Sequence, residues 1–364
     1  VVTFITSLAA FVVIISVIVF VHEYGHYIVA RMCGVHIEVF SIGFGREIFG
    51  RTARTGTRWR ISWLPLGGYV KMYGEMTLPT SKAASAIPES RQHQAFCHQS
   101  VGKRAAILVA GPMANFLLAI FLLTGWFVAM GQPVNLPACI HEVAKGSPAE
   151  KVGLLAGDCI TMIDQHPIKD FSAMQQWVAE RPEQQIALTV ARAHKTHLLY
   201  VTPEKAEITD SLGGTSQVGR IGISAGETVI EPVSWYRAPA IAAEKTWEIT
   251  WLSLVTIGQM VVGQHTTDEV GGVLRIAHYS GKSFAAGWPA VLWLVVLLSV
   301  NLGVLNLLPI PLLDGGHLAF CALEAVMGKP LSPAIQLWSA RVGISLLAGL
   351  MVFATLNDLR VMWV

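Results

Sequence analysis

The sequence predicts a polytopic α-helical membrane protein with a folded polar insert, and three observations carry that expectation. Hydrophobic residues make up 53% of the 364-residue chain and charged residues only 14%, with a mean hydropathy of +0.52, which is too apolar for an ordinary water-soluble globule. Three stretches each hold the roughly 20 predominantly apolar residues that cross a bilayer, and a fourth, interrupted by one arginine, is counted with them. A long polar stretch separates the second from the third.

In chain order, Thr3 to Val21 carries no charge. It lacks the charged leader and small-residue cleavage site of a signal peptide, so residues 1–30 are expected to be a retained first transmembrane helix. Because residue 1 is Val, the native start is expected upstream. Within residues 31–104, Arg58-Trp59-Arg60-Ile61-Ser62-Trp63 alternates like a strand and Pro65-Leu66-Gly67-Gly68-Tyr69 reads as a turn into Val70-Lys71-Met72, which together predict a β-hairpin. Thr77 to Gln94 is polar and reads as a surface loop without chemistry.

Residues 105–130 form the second span, 288–317 contain the third (Trp288 to Leu308) and 333–360 the fourth. The fourth is interrupted by Arg341, which can snorkel to the interface. Residues 226–287 hold an ambiguous helix, Ala238 to Val262, with Glu244, Lys245 and Glu248 and an apolar core too short to cross. Its Trp247, Trp251, Leu254 and Val255 recur three or four apart, which suits a helix lying in the membrane interface.

Charge fixes the expected orientation. Tyr27 to Arg104 holds 11 basic and 4 acidic residues, whereas Gly131 to Gly287 holds 12 and 16. Cytoplasmic loops are the ones enriched in Lys and Arg, so the first segment is expected inside, the second outside, and both termini extracytoplasmic. No basic tract suggests a nucleic-acid partner. The five cysteines are scattered without CxxC spacing and read as free thiols; Cys139 and Cys159 are the only plausible pair.

The insert reads as an α+β domain over residues 137–225. Strands are expected at Ala138 to Val143, Cys159 to Ile163, Ile186 to Ala191 and His197 to Val201, with one helix at Ser172 to Glu180.

The chemistry concentrates in His22-Glu23-Tyr24-Gly25-His26, at the end of the first apolar run. Four residues apart on a helix, His22 and His26 project from one face and can reach one metal ion, with Glu23 beside the open coordination position as a general base. Two structural histidines and a buried glutamate are the bland alternative, which the cost of ionisable groups at a span's end disfavours. A catalytic zinc usually takes a third protein ligand, and Asp314 is the candidate, since Pro309 and Pro311 break the helix just before it. Such a site closes only if the first and third long spans run parallel, which leaves one crossing helix between them and puts the metal toward the cytoplasmic side. His317 follows Asp314 by three residues and reads as a helix-surface group or a partner of the ligands. His141, His166, His194 and His197 fall in the insert and read as surface groups.

HExxH at residues 22–26 and NxxPxxxxDG at Asn306 to Gly315 are both present without substitution, and together they resemble the signatures of the site-2 protease family of intramembrane metalloproteases. The likeness runs along nearly the whole chain, through Pro65 to Met72, Gly271 to Ala277 and Leu356-Asn357-Asp358, and is closest to the bacterial RseP-like group. It implies Zn2+ held by His22, His26 and Asp314, with Glu23 catalytic. It further implies Asn306 as a holder of substrate backbone and Gly67, Gly68 and Tyr69 as part of a membrane-associated, cytoplasmic strand that guides the substrate. The implied partners are membrane lipid and single-span membrane proteins such as anti-sigma factors or remnant signal peptides, in the bacterial inner membrane.

Gly146-Ser147-Pro148-Ala149, Gly153-Leu154 and Gly157-Asp158-Cys159-Ile160 resemble the PDZ domains of bacterial proteases. By that resemblance Gly219, Arg220, Ile221, Gly222 and Ile223 form the loop and strand that receive a C-terminal peptide. A non-binding packing module is the alternative. The chain has room for one such domain, where the RseP-like pattern has two in tandem. Two other functional classes fit the composition: an ion-coupled transporter, and a non-catalytic PDZ membrane adaptor or pseudoprotease.

Overall fold

The uncharged opening run folds as α1 (Val2–Met32), which continues past the apolar stretch and carries residues 22–26 toward its C-terminal end. The structure is a computed structural model that describes residues 2–75, 87–133, 137–193, 195–209, 215–225, 230–262 and 271–363. The loop expected from Thr77 lies outside these residues as far as position 86, as does His194. The chain divides into two units, Val1–Gly125 with Tyr236–Val364, and Trp126–Trp235.

In the first unit, β1 (Ile37–Thr52) and β2 (Arg58–Met72) follow α1. The turn expected at Pro65 to Tyr69 is corrected here. Those residues lie inside β2, and the chain reverses at residues 53–57 instead. Val39 to Ile42 pair with Gly68 to Lys71 on one side and with Arg58 to Ile61 on the other, so β1 is flanked by both halves of β2. The doubled hairpin needs a sharp bend in β2, and Gly67 supplies it with φ 128°, a value only glycine adopts readily.

Phe40 anchors this sheet, stacked 4.3 Å from Trp59 and edge-on to Phe20 and Tyr27 of α1. Ala30, Val35, Ile37, Val70, Met72 and Ile107 complete the cluster. Apart from Ala30, each such buried side chain contributes about 1.5–3 kcal/mol. Two short 3-10 turns, Glu89–Gln94 and Phe96–His98, lead into α2 (Val101–Met130), which contains Pro112.

The second unit contains β3 (Gln132–Pro133), β4 (Glu142–Val143), α3 (Pro148–Lys151), β5 (Cys159–Ile163), β6 (His166–Pro167), α4 (Phe171–Ala179), β7 (Ile186–Arg192), β8 (Lys195–Val201), β9 (Glu204–Thr209), β10 (Thr215–Arg220), β11 (Ile223–Ser224) and β12 (Ile230–Glu231). Its largest sheet has the order β6-β5-β7-β8, all antiparallel. Three expected strands and the expected helix coincide with β5, β7, β8 and α4, while Ala138 to Val143 is ladder-paired only at Glu142–Val143 apart from a bridge at Cys139. Asp170 caps α4 by accepting from the Ala173 N–H, and Met174 and Val178, four apart, turn into a core with Ile160, Ile163, Leu188 and Val190.

Two of the cysteines depart from the expectation of free thiols. Cys139 and Cys159 face each other across an antiparallel bridge and form a disulfide, while Cys33, Cys97 and Cys321 are free. Next to it Asp158, only 1% exposed, takes both Nε and Nη2 of Arg192 at 2.6 Å and the Leu155 N–H at 2.8 Å.

The chain returns to the first unit with α5 (Ala238–Val262), α6 (Val273–Ala286), α7 (Trp288–Leu307), α8 (Asp314–Met327) and α9 (Pro333–Trp363). Among the described residues four helices are long and apolar enough to cross a membrane: α1, α2, α7 and α9. Helix α5 is not one of them, and Trp247 and Trp251 stand exposed on it. The start of α6 is held by Asp358 of α9, which accepts from the N–H groups of Gly272 and Arg275 and pairs with the Arg275 guanidinium at 3.2 Å.

Candidate metal centre

Helical spacing brings His22 and His26 together, with ring centroids 4.9 Å apart and planes at 79°. Asp314 reaches them from the far end of the chain. Helix α7 stops at Leu307 before Pro309 and Pro311, which cannot continue its hydrogen-bond ladder. A tight turn then opens α8 at Asp314. The turn is close enough that a Cβ on Gly315 or Gly316 would collide with the carbonyls of Leu307, Leu308 and Ile310. A partly buried ion pair, Arg104 Nη2 to Glu324 Oε1 at 2.5 Å, ties α8 to α2.

The three donor atoms nearly form an equilateral triangle. His22 Nε2 is 3.1 Å and His26 Nε2 3.3 Å from Asp314 Oδ2, and the two Nε2 atoms are 3.2 Å apart. Ligand atoms of a tetrahedral zinc with bonds of about 2.0–2.1 Å stand roughly 3.3 Å from one another, so this donor set fits the ion. His22 and His26 are 7% and 6% exposed, and the Asp314 side chain 19%, so the site is largely shielded. A carboxyl of this kind ionises at about pH 3.9 in water, and an adjacent cation would favour its anionic form further, so Asp314 suits the charged donor of the set.

Helix α2 supports the histidines from behind. His26 Nδ1 lies 2.7 Å from the Ile107 carbonyl, which can only accept; the ring hydrogen is therefore on Nδ1, and the Nε2 lone pair points into the triangle. Gly25 lets α1 close on Ala110 and Ala114 of α2, where any side chain would clash. On the other face, Gly68 of β2 packs against α1, such that a Cβ there would sit 3.2 Å from Glu23 Cγ. The Glu23 carboxylate also meets the backbone of Val70.

The structure thus gathers His22, Glu23, His26, Asp314 and Gly68 at one place. Gly67 and Tyr69 flank Gly68 in β2, Tyr69 stacking on Phe44 at 6.0 Å. Asn306 is half-buried in the last turn of α7. His317 is exposed on α8, edge-on to Phe320. In the second unit, Gly219 and Arg220 end β10, Ile221 is buried, Gly222 turns with φ 79° against Ser147, and Ile223 pairs with Val143. Sequence reasoning missed Ile107 and Asn115. The second had a signal, being a lone buried amide in an otherwise apolar span; the first acts through its backbone and had none.

Comparison with known proteins agrees with this chemistry. Residues 10–350 match the profile of Peptidase family M50. A Rhizobium meliloti protein named as a zinc metalloprotease is 39% identical over 361 residues, covering 97% of this chain and 96% of the relative. Regulator of sigma-E protease RseP of Salmonella typhimurium is 31% identical over 449 residues, covering 97% and 98%. A crystal structure of the PDZ domain of an SdrC-like protein from Listeria innocua aligns with 26% of this chain and 99% of its own at 20% identity, with a TM-score of 0.21. The chain belongs to peptidase family M50, the site-2 protease family, and is a zinc metalloprotease.

Proposed function

We propose that this protein hydrolyses peptide bonds within transmembrane segments of single-span substrates, with His22, His26 and Asp314 holding the zinc and Glu23 acting as general base. The observation that carries the proposal is the triangle of three donor atoms with Glu23 on the same helix turn. When bound, zinc supplies a Lewis acid that polarises the scissile carbonyl and lowers the pKa of a water to about 7. Glu23 takes the proton from that water as the oxygen attacks, and then delivers it to the departing amide nitrogen.

A helical substrate hides its amides in its own hydrogen bonds, so it must unwind before reaction. Among the described residues the half of β2 that contains Gly67, Gly68 and Tyr69 has β1 as its one strand partner and passes beside Glu23, which supports a role in holding the substrate as a strand added to its other edge. Asn306 is proposed to hold substrate backbone at the mouth of the site. Anti-sigma factors and remnant signal peptides are the substrate classes this reading favours.

We place the protein in the bacterial inner membrane, multi-pass, with both termini and the 137–225 domain outside and the site toward the cytoplasm. The loop charges support this orientation, and so does the Cys139–Cys159 disulfide, since such bonds persist in oxidising compartments. The 137–225 domain is proposed to be a PDZ module that screens substrates through Gly219 to Ile223, with a C-terminal peptide as its ligand, and α5 to lie in the interface with lipid.

The deciding experiment is a cleavage assay on a model transmembrane substrate with metal analysis of the same preparations. Glu23→Gln should abolish cleavage with zinc still bound, and His22→Ala or Asp314→Ala should lose both. Unchanged cleavage by Glu23→Gln would overturn the mechanism.

A further inference from the structure

We propose that Asn115 is a positioning residue for His22: its side-chain carbonyl accepts the hydrogen on His22 Nδ1 and so aims Nε2 at the metal. The inference rests on the reading that His22 ligates through Nε2. Asn115 is 0% exposed on α2, and its side-chain amide lies 3.3 Å from His22 Nδ1. As oriented, Nδ2 is the atom facing the ring, while Oδ1 is buried with no hydrogen-bond partner among the described residues.

A neutral imidazole that gives its Nε2 lone pair to a metal carries its hydrogen on Nδ1, and an amide nitrogen has no lone pair to receive it. The oxygen and nitrogen of an amide are interchanged by a half-turn of the group, and they are assigned from the hydrogen-bond network. That half-turn puts Oδ1 on His22 Nδ1 and gives the unpartnered acceptor a partner in the same move.

An independent contact fixes the backbone from which the amide projects. The Asn115 main-chain carbonyl accepts from Ser299 Oγ of α7 at 3.0 Å, so α2 is registered against α7 at this residue. Two turns earlier on α2, the Ile107 carbonyl performs the same service for His26 at 2.7 Å. Both imidazoles of the motif are thereby oriented from one helix, one by a backbone carbonyl and one by a side chain. Of the two orienting contacts, only the second can be removed by substitution.

The test uses the full-length protein in detergent and measures zinc retention against a competing chelator and the visible spectrum of the cobalt(II)-substituted form. Asn115→Leu keeps the volume and removes the acceptor; zinc retention should weaken about 10- to 100-fold and the cobalt band should shift. Asn115→Ala gives the same readout should the leucine variant not fold. Asn115→Asp keeps an acceptor and should restore both retention and spectrum, although a merely structural amide would tolerate a buried carboxylate no better than leucine. Wild-type retention in Asn115→Leu or Asn115→Ala, or an Asn115→Asp variant as weak as these, overturns the inference. His22→Ala separates this failure from that of the ligand assignment: if it also keeps zinc at the wild-type level, His22 is not a ligand, and if it alone loses zinc, only the role of Asn115 falls.

Discussion

Gly111 lies directly beneath the His26 imidazole, so close that a Cβ at this position would overlap the ring. Gly111→Ala should therefore displace a metal-facing nitrogen while leaving the motif intact. Because a misplacement of about 1 Å can cost roughly 10²-fold in rate, cleavage should fall by about that factor, with weakened zinc retention. Gly125→Ala on the same helix, where a Cβ meets open space, should behave as wild type in the same assay.

Gly68 gives a different signature. Its missing side chain lets β2 approach Val19 and Glu23, and a methyl there would meet Val19 Cγ1 and the Ser41 carbonyl as well. Gly68→Ala should lower cleavage by moving the strand away from Glu23, yet retain zinc like the wild type, because none of the three donor atoms is touched. Metal content measured beside kcat and KM separates this outcome from that of Gly111→Ala.

The Asp158–Arg192 pair makes the second unit sensitive to acid. The hydrogen bonds from Arg192 hold the Asp158 carboxyl below its ordinary value against the effect of burial. A depressed native pKa means that the stabilisation is complete above the unfolded value of about 3.9 and is lost as pH falls through the native one. Thermal unfolding followed from neutral pH down to about pH 3 should thus show a steeper decline for the wild type than for Asp158→Asn in this acid limb. Parallel curves would remove the pair from the account.

Asp358→Ala should destabilise the first unit by about 3–5 kcal/mol, since it withdraws a carboxylate from the buried Arg275 and from two N–H groups at the start of α6. A lowered melting temperature in detergent, with faster proteolysis near residue 272, would show it.

Alkylation counts test the disulfide. Unreduced protein, denatured before labelling because Cys321 is buried, should take up label at Cys33, Cys97 and Cys321 alone, and reduction should add Cys139 and Cys159. Mass spectrometry of the labelled peptides reads the result directly.

The parts of the fold legible in the sequence are those governed by short-range periodicity or strict spacing. His22 and His26 declared themselves by a four-residue interval, and Asp314 by the prolines that end α7. What escaped depends on contacts between distant segments. Pro65 to Gly68 carries the residues of a turn, but the pairing of β1 with both halves of β2 makes that stretch a bend within a strand. Cys139 and Cys159 become partners only once an antiparallel bridge puts them face to face. The Ile107 carbonyl is a group every residue carries, so nothing in its identity marks it as the partner of His26.

His22 and Asp314 are separated by 292 residues, and this sets when the catalyst can first exist. A chain still on the ribosome displays the histidines and Glu23 long before Asp314, the proposed third ligand, has been added. On the proposed ligand set, a product truncated before Asp314 carries two of the three metal ligands and is no protease.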